Sequence, residues 1–204
     1  MTASELIAMA ENLVEESNTP QEWYDFINIT LKDLTPAAKV LEEKVVSVEL
    51  TDGSADINVT EEVPEAFEVL SVSFKPTGQG RRELRKLTPQ DYSSTGYARF
   101  NDFIRLQGLP WEEGAAVIYY YAKLKMIESG DDYTFNLPED YHESVLLKGV
   151  CASAMQKEED MDRKNDFYGE YALAKRSMLA ERTFEMEPWN RMFVLQAKLG
   201  GEEQ

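Results

Sequence analysis

The sequence predicts an α+β protein in which an antiparallel sheet is inserted between two helical parts of one body. Three observations carry this reading. Residues at helical spacing dominate up to about residue 43. From Lys44 the apolar period changes to two and stays there through Lys123. Helical spacing then returns in a proline-free stretch from Glu139 to Glu187. Helices, then strands, then helices is an α+β order rather than the strict alternation of a parallel sheet. The chain divides accordingly into N-terminal helices at 1–43, a β region at 44–125, a loop with a helical hairpin at 126–187, and an arm at 188–204.

Each element has a local reason. Thr2-Ala-Ser-Glu5 has capping-box form, and Leu6, Ile7, Ala10, Leu13 and Val14 follow on one helical face. Thr19-Pro20-Gln-Glu22 repeats the device with proline in the first helical position. Trp23, Phe26, Ile27, Thr30, Leu31 and Leu34 then form the strongest periodic stripe in the chain. Thr35-Pro36 is expected to cap a shorter third helix running to Glu43.

In the β region Val46, Val48 and Leu50 alternate with polar residues. Asp52-Gly53 signals a hairpin turn, and Ala55, Ile57 and Val59 return from it. Phe67–Phe74, Arg82–Leu87, Phe100–Gln107 and Ala115–Lys123 complete an expected meander of five or six strands, with one helical turn at Thr88–Tyr92.

Beyond the sheet, Pro138 suits the first turn of a helix, and Glu139 and Asp140 suit its positive end. Tyr141, Val145, Ala152 and Met155 or Gln156 recur at helical spacing, with Leu146 and Val150 beside them. Gly149 in mid-helix implies close approach of a neighbour. After a polar joint at Lys157–Asn165, a second stripe holds Phe167, Tyr171, Ala174 and Met178. The pattern reads as an antiparallel αα-hairpin with arms of about 20 residues, each roughly 30 Å long. One long bent helix is the alternative, because the joint lacks Gly and Pro. The apolar segment Trp189–Leu199 lies behind the helix stop at Pro188 and either folds back on its own core or docks on another chain.

Composition excludes several classes. Net charge is −17, so the chain gains no affinity from phosphate neutralisation and is not expected to grip nucleic acid. The longest apolar run, Ala115–Ala122, is too short to span a bilayer, and no signal peptide opens the sequence, so cytoplasmic synthesis is expected. The triplets Asn28-Ile-Thr30 and Asn58-Val-Thr60 then match the glycosylation pattern by chance. His142 is the single histidine and reads as a partly exposed helix residue. Cys151 is the single cysteine and reads as a small core residue, with no basic neighbour to activate it.

Glu158, Glu159, Asp160 and Asp162 are contiguous on the joint, so they read as a solvated charge run rather than a metal site. Gly78-Gln79-Gly80-Arg81-Arg82 is a basic hairpin tip without a phosphate-loop pattern. No constellation supports catalysis, and no cofactor or metal is expected.

The order of parts resembles the head-to-tail connector (adaptor) proteins of tailed bacteriophages over nearly the whole chain. The resemblance rests on the helix Gln21–Leu31, the strand ending Tyr119-Tyr-Tyr121 before Asp131-Asp132, the launch Leu137-Pro138-Glu-Asp-Tyr141, and Phe167-Tyr-Gly-Glu-Tyr171. It implies a non-catalytic virion protein at the capsid vertex or neck, forming a ring, typically of twelve copies, between portal and tail. The genome would pass through without sequence-specific contact. Implied partners are other copies of the chain, the portal, and a tail or stopper protein. A portal-binding arm would be carried by Trp189, Arg191, Met192, Phe193 and Leu195, with a further loop contact at Gln79, Arg81 and Arg82. The alternatives are a stopper or tail-completion protein of the same region, and a metal-dependent enzyme using Asp160 and Asp162.

Overall fold

The structure is a computed structural model that describes residues 1–15, 18–88, 91, 94–128, 133–155 and 161–185. Its architecture is α+β with antiparallel sheets, as the sequence predicts. Contacts divide the chain into two units, Met1–Lys39 with Leu124–Gln204, and Val40–Lys123.

In the first unit, α1 (Ala3–Val14) and α2 (Pro20–Ala38) both begin with a complete capping box. The Thr2 and Thr19 hydroxyls accept from the Glu5 and Glu22 N–H groups, and the two glutamates reach back to the cap N–H. Every residue of the α2 stripe, Trp23, Phe26, Ile27, Thr30, Leu31 and Leu34, is buried. The Trp23 indole N–H donates to Glu11 Oε1 at 3.0 Å, which ties α2 to α1 without an unpaired polar atom.

The expected third helix does not form. α2 continues through Pro36 to Ala38, and Lys39 adopts a left-handed φ of 44° before a strand begins at Val40. Proline in the last turn forfeits one backbone bond, but Ala37 and Ala38 are buried there. Leu41–Glu43 are drawn instead into strand pairing with Tyr119–Tyr121.

Past the sheet, the crossing segment Leu124–Glu128 is held by side chains rather than by a sheet. Leu124 N–H donates to Thr35 Oγ1 (3.2 Å), Lys125 N–H to Asn136 Oδ1 (3.0 Å), and Ile127 N–H to Asn28 Oδ1 (2.8 Å). Asn28 Nδ2 closes the last pair by donating to Ile127 O at 2.9 Å. One amide thus satisfies both backbone groups of a buried residue, as a neighbouring strand would.

The C-terminal hairpin differs from expectation in its proportions. Its first arm is a π-helical segment, His142–Leu147, continued by α4 (Lys148–Ala154). Its second arm is α5 (Met161–Glu185), which takes in Met161–Asn165 of the supposed joint. The arms are antiparallel: Tyr141 Oη donates to Glu181 Oε2 (2.9 Å), while Lys148 lies 3.4 Å from Glu170. The first arm is also not amphipathic. From Val145 to Met155 only Lys148 escapes full burial, so α4 is a central helix enclosed by α1, α2 and α5. Gly149 allows that enclosure, since a Cβ there would overlap Thr30 Cγ2 and lie 2.7 Å from Tyr171 Cε2.

In the second unit the single meander is replaced by two sheets. β1 (Val40–Glu49), β3 (Ala66–Pro76), β4 (Arg82–Glu83) and β7 (Glu113–Ala122) form a sheet of order β1-β7-β3-β4. β2 (Ala55–Asn58), β5 (Gly96–Phe100) and β6 (Phe103–Gln107) form another of order β2-β6-β5. The Asp52-Gly53 turn is real, with both residues at positive φ and Thr51 and Ser54 exchanging backbone bonds of 2.9 and 3.0 Å. The strands it joins nevertheless diverge into different sheets.

Val59, read as strand, opens the single turn α3 (Val59–Glu62). The expected strand Phe100–Gln107 is instead broken by a turn at Asn101-Asp102, with Asn101 at φ 49°. Of Arg82–Leu87 only Arg82–Glu83 pairs as a strand. The helical turn expected at Thr88–Tyr92 falls mostly outside the described residues. Val46, Val48, Phe74, Ile118 and Tyr120 of the larger sheet share one buried cluster with Ile57, Tyr97, Ile104 and Leu106 of the smaller. The second unit is therefore a small sandwich.

Candidate functional site

The residues that carry the sequence reading fall into three groups. Trp189, Arg191, Met192, Phe193 and Leu195 of the arm lie outside the described residues, as do Glu158, Glu159, Asp160, Asp131 and Asp132. Asp162 is described and exposed. Among the described residues no group of three His, Cys, Asp or Glu could hold a metal ion. Among them, too, no helix is long and apolar enough to cross a membrane.

The second group is the tip between β3 and β4. Gly78 at φ 72° lets the chain reverse, and Gln79 N–H donates to Pro76 O at 3.1 Å, leaving Gln79 exposed at the apex. Arg81 is drawn back over its own sheet. Its Nε donates to Ser73 Oγ (2.5 Å), its guanidinium lies 4.6 Å from the Tyr119 ring centre, and Nη1 stands 3.8 Å from Glu43. The same contacts influence Tyr119: burial first, then the Glu43 carboxylate, raise its phenol pKa, against the opposing pull of Arg81. Arg82 extends over Trp111 at 5.0 Å, and Trp111 stacks on buried Phe74. The loop is thus a basic tip with one arginine fastened down and one laid across an aromatic platform.

The third group sits on the helices. His142, read as partly exposed, is 2% exposed. Its Nε2 carries the proton donated to Leu137 O (2.7 Å), since a carbonyl only accepts, and Nδ1 has no hydrogen-bond partner among the described residues. Phe135 packs edge-on against it with ring centres 5.5 Å apart. The Leu137 carbonyl replaces solvent at one ring nitrogen only, and Phe135 packs against the ring without supplying a hydrogen bond to the other. The π-helical turn it opens has no signature in the sequence spacing.

Cys151 is fully buried, and burial pushes its thiol up to about 12. Thiol reagents are therefore expected to label it only after unfolding, which a denaturant-dependent alkylation series followed by mass measurement checks.

Asp33 accepts from Tyr171 Oη and from Lys175 Nζ, each at 2.6 Å, joining α2 to α5. Burial alone raises the Asp33 carboxyl, but the hydrogen bonds from Lys175 and Tyr171 and the Lys175 charge outweigh it and hold it below its ordinary value. Burial and the nearby carboxylate push the Tyr171 phenol up. A lowered folded-state value means that this stabilisation is complete above the unfolded carboxylate pKa, about 4, and is lost as pH falls through the folded value. Asp33 is half exposed, so the expected difference is under about 1 kcal/mol. Denaturant midpoints of wild type and Asp33→Asn should differ at pH 7 and converge below about pH 4.

Several exposed apolar side chains were not legible as surface features in the sequence. Val45 is 56% exposed in the middle of β1, and Phe100 and Phe103 flank the Asn101-Asp102 turn. On α5, Tyr168, Leu173 and Leu179 face solvent.

No curated protein matches the chain. A family model described as SU10 adaptor protein matches residues 1–192, nearly its full length. The chain therefore belongs to the SU10 adaptor protein family and is a structural adaptor of the phage neck.

Proposed function

We propose that this protein assembles as a ring between portal and tail, through which the genome passes, and that it performs no catalysis. The family match over residues 1–192 is the observation that carries the reading. Net charge adds to it, since a duplex that must slide is best not gripped, and a chain of −17 repels phosphate.

The parts then have separate tasks. The helical unit, Met1–Lys39 with the helices that follow Leu124, packs copies side by side around a cyclic axis, typically twelve of them. The arm from 188 onward reaches the portal through Trp189, Arg191, Met192, Phe193 and Leu195, whose aromatic and arginine content suits interface anchors. Gln79 and Arg82 at the basic tip meet an acidic surface, with Arg81 bracing the loop.

The test mixes the full chain with portal protein and images the product by electron microscopy. Wild type is expected to decorate the portal as a closed ring, and a chain ending at Glu187 to fold yet fail to attach. Bare portals at every salt concentration with the full chain would overturn the reading.

A further inference from the structure

β1 is a long edge strand that carries charged side chains but neither of two further devices that blunt such edges, a bulge or a proline. Its ten residues pair with β7 in unbroken register from Val40↔Ala122 to Glu49↔Glu113, without bulge or proline. Among the described residues no strand lies on its other side. The direction of its backbone groups follows from one bond. Leu50 N–H donates to Glu112 O at 2.7 Å, directly opposite in the continued register. In an antiparallel ladder the bonded residues alternate, so the even-numbered residues of β1 face β7. The N–H and C=O groups of Leu41, Glu43, Val45, Ser47 and Glu49 therefore point outward from the sheet's edge. Exposed Val45 stands at their centre.

The end of this edge is electrostatically unfinished. Glu49 and Glu113 are directly opposite across the ladder, and like charges so placed repel. Glu112 adjoins them in sequence. Among the described residues no lysine or arginine lies within ion-pair distance of any of the three.

We infer that the β1 edge receives a second copy of this chain, which adds backbone bonds along Leu41–Glu49 and brings a basic group to Glu49 and Glu113. The inference rests on the ring reading and names one of its contact surfaces. Charge selects the occupant. The chain carries 38 acidic and 21 basic residues, so copies repel unless basic positions are brought to acidic ones. Arg82, Arg85 and Lys86 are exposed basic positions close together beyond the β3–β4 tip; Arg85 lies 3.6 Å from Asp91 and Arg82 lies over Trp111, which leaves Lys86 as the position whose charge is turned to another chain. The acidic edge and the basic run are different patches, so their contact is head-to-tail, the kind that closes into rings.

The test uses the full chain with portal protein, read by electron microscopy and by sedimentation. Ser47→Pro removes only an outward N–H, so it is expected to leave the circular dichroism of the protein unchanged and to abolish rings. Glu49→Lys with Glu113→Lys, and separately Lys86→Glu, are each expected to abolish rings, and the three changes together to restore them. Rings that form as in wild type from Ser47→Pro and from both charge reversals overturn the inference while leaving the ring reading intact. If Ser47→Pro unfolds, the charge reversals and their combination decide alone. Failure of the wild-type chain to form rings sinks the ring reading itself. Reversals that abolish portal attachment but leave self-association in sedimentation also overturn the inference, because the edge then faces the portal.

Discussion

Gly149→Val should lower the stability of the free protein by about 2–4 kcal/mol, seen as a fall in Tm of roughly 4–16 °C. The first new carbon would overlap the Thr30 methyl and press on the Tyr171 ring, and both neighbours are themselves held. Thr30 donates to Phe26 O at 2.9 Å and lies 3.3 Å from Ser153 Oγ, while Tyr171 is fixed through Asp33. α4 would have to retreat from α2 and α5 together. Gly149→Ala gains about 1 kcal/mol of helix propensity and so should cost less than valine. A thermal melt of the three proteins checks the order glycine, alanine, valine. Equal melting points would mean that the three helices are not in contact at this position.

Asn28→Ala is expected to cost a similar amount, about 2–4 kcal/mol, for a different reason. The substitution leaves the N–H and C=O of Ile127 without their partner, and Ile127 is 4% exposed, so water does not readily take over. Asn28→Asp keeps an acceptor for the N–H and loses the donor, placing it between alanine and wild type. Urea titrations give the three free energies, and hydrogen exchange at Ile127 separates the effect from general loosening. If protection at Ile127 is unchanged in Asn28→Ala, the amide is not what holds the crossing segment.

Both predictions lie where sequence reasoning was strong about identity and silent about consequence. The α2 stripe was legible because six large residues at one angular position have only one way to be buried together. Asn28 lies on that helix, yet its partner is 99 positions away, and no local pattern announces such a contact. Gly149 was legible as a place of close approach, because glycine in mid-helix is otherwise a loss. Which atoms approach was not.

The misses have one physical source. The third helix was expected from Thr35-Pro36, but Val40–Glu49 pairs with Glu113–Ala122, and that distant ladder outweighs a local cap. The hairpin turn at Asp52-Gly53 formed as its residues dictate, while the partners of its two strands were chosen elsewhere. The spacing of Tyr141, Val145, Ala152 and Met155 predicts an amphipathic first arm for the helical hairpin. Small residues between them, Cys151, Ser153 and Ala154, let neighbours close on the other sides as well.

Sequence alone determined the α+β class, both capping boxes, the stripe of α2 and the family to which the chain belongs. Those depend on residues within a turn or two of one another, or on the order of motifs along the chain. Tertiary structure decided that β1 is an edge, that His142 is enclosed, and that Arg81 is fastened to Ser73 and Tyr119. Each of these is set by which distant segments meet, and the free energy of such meetings comes from packing and backbone pairing that no local spacing encodes.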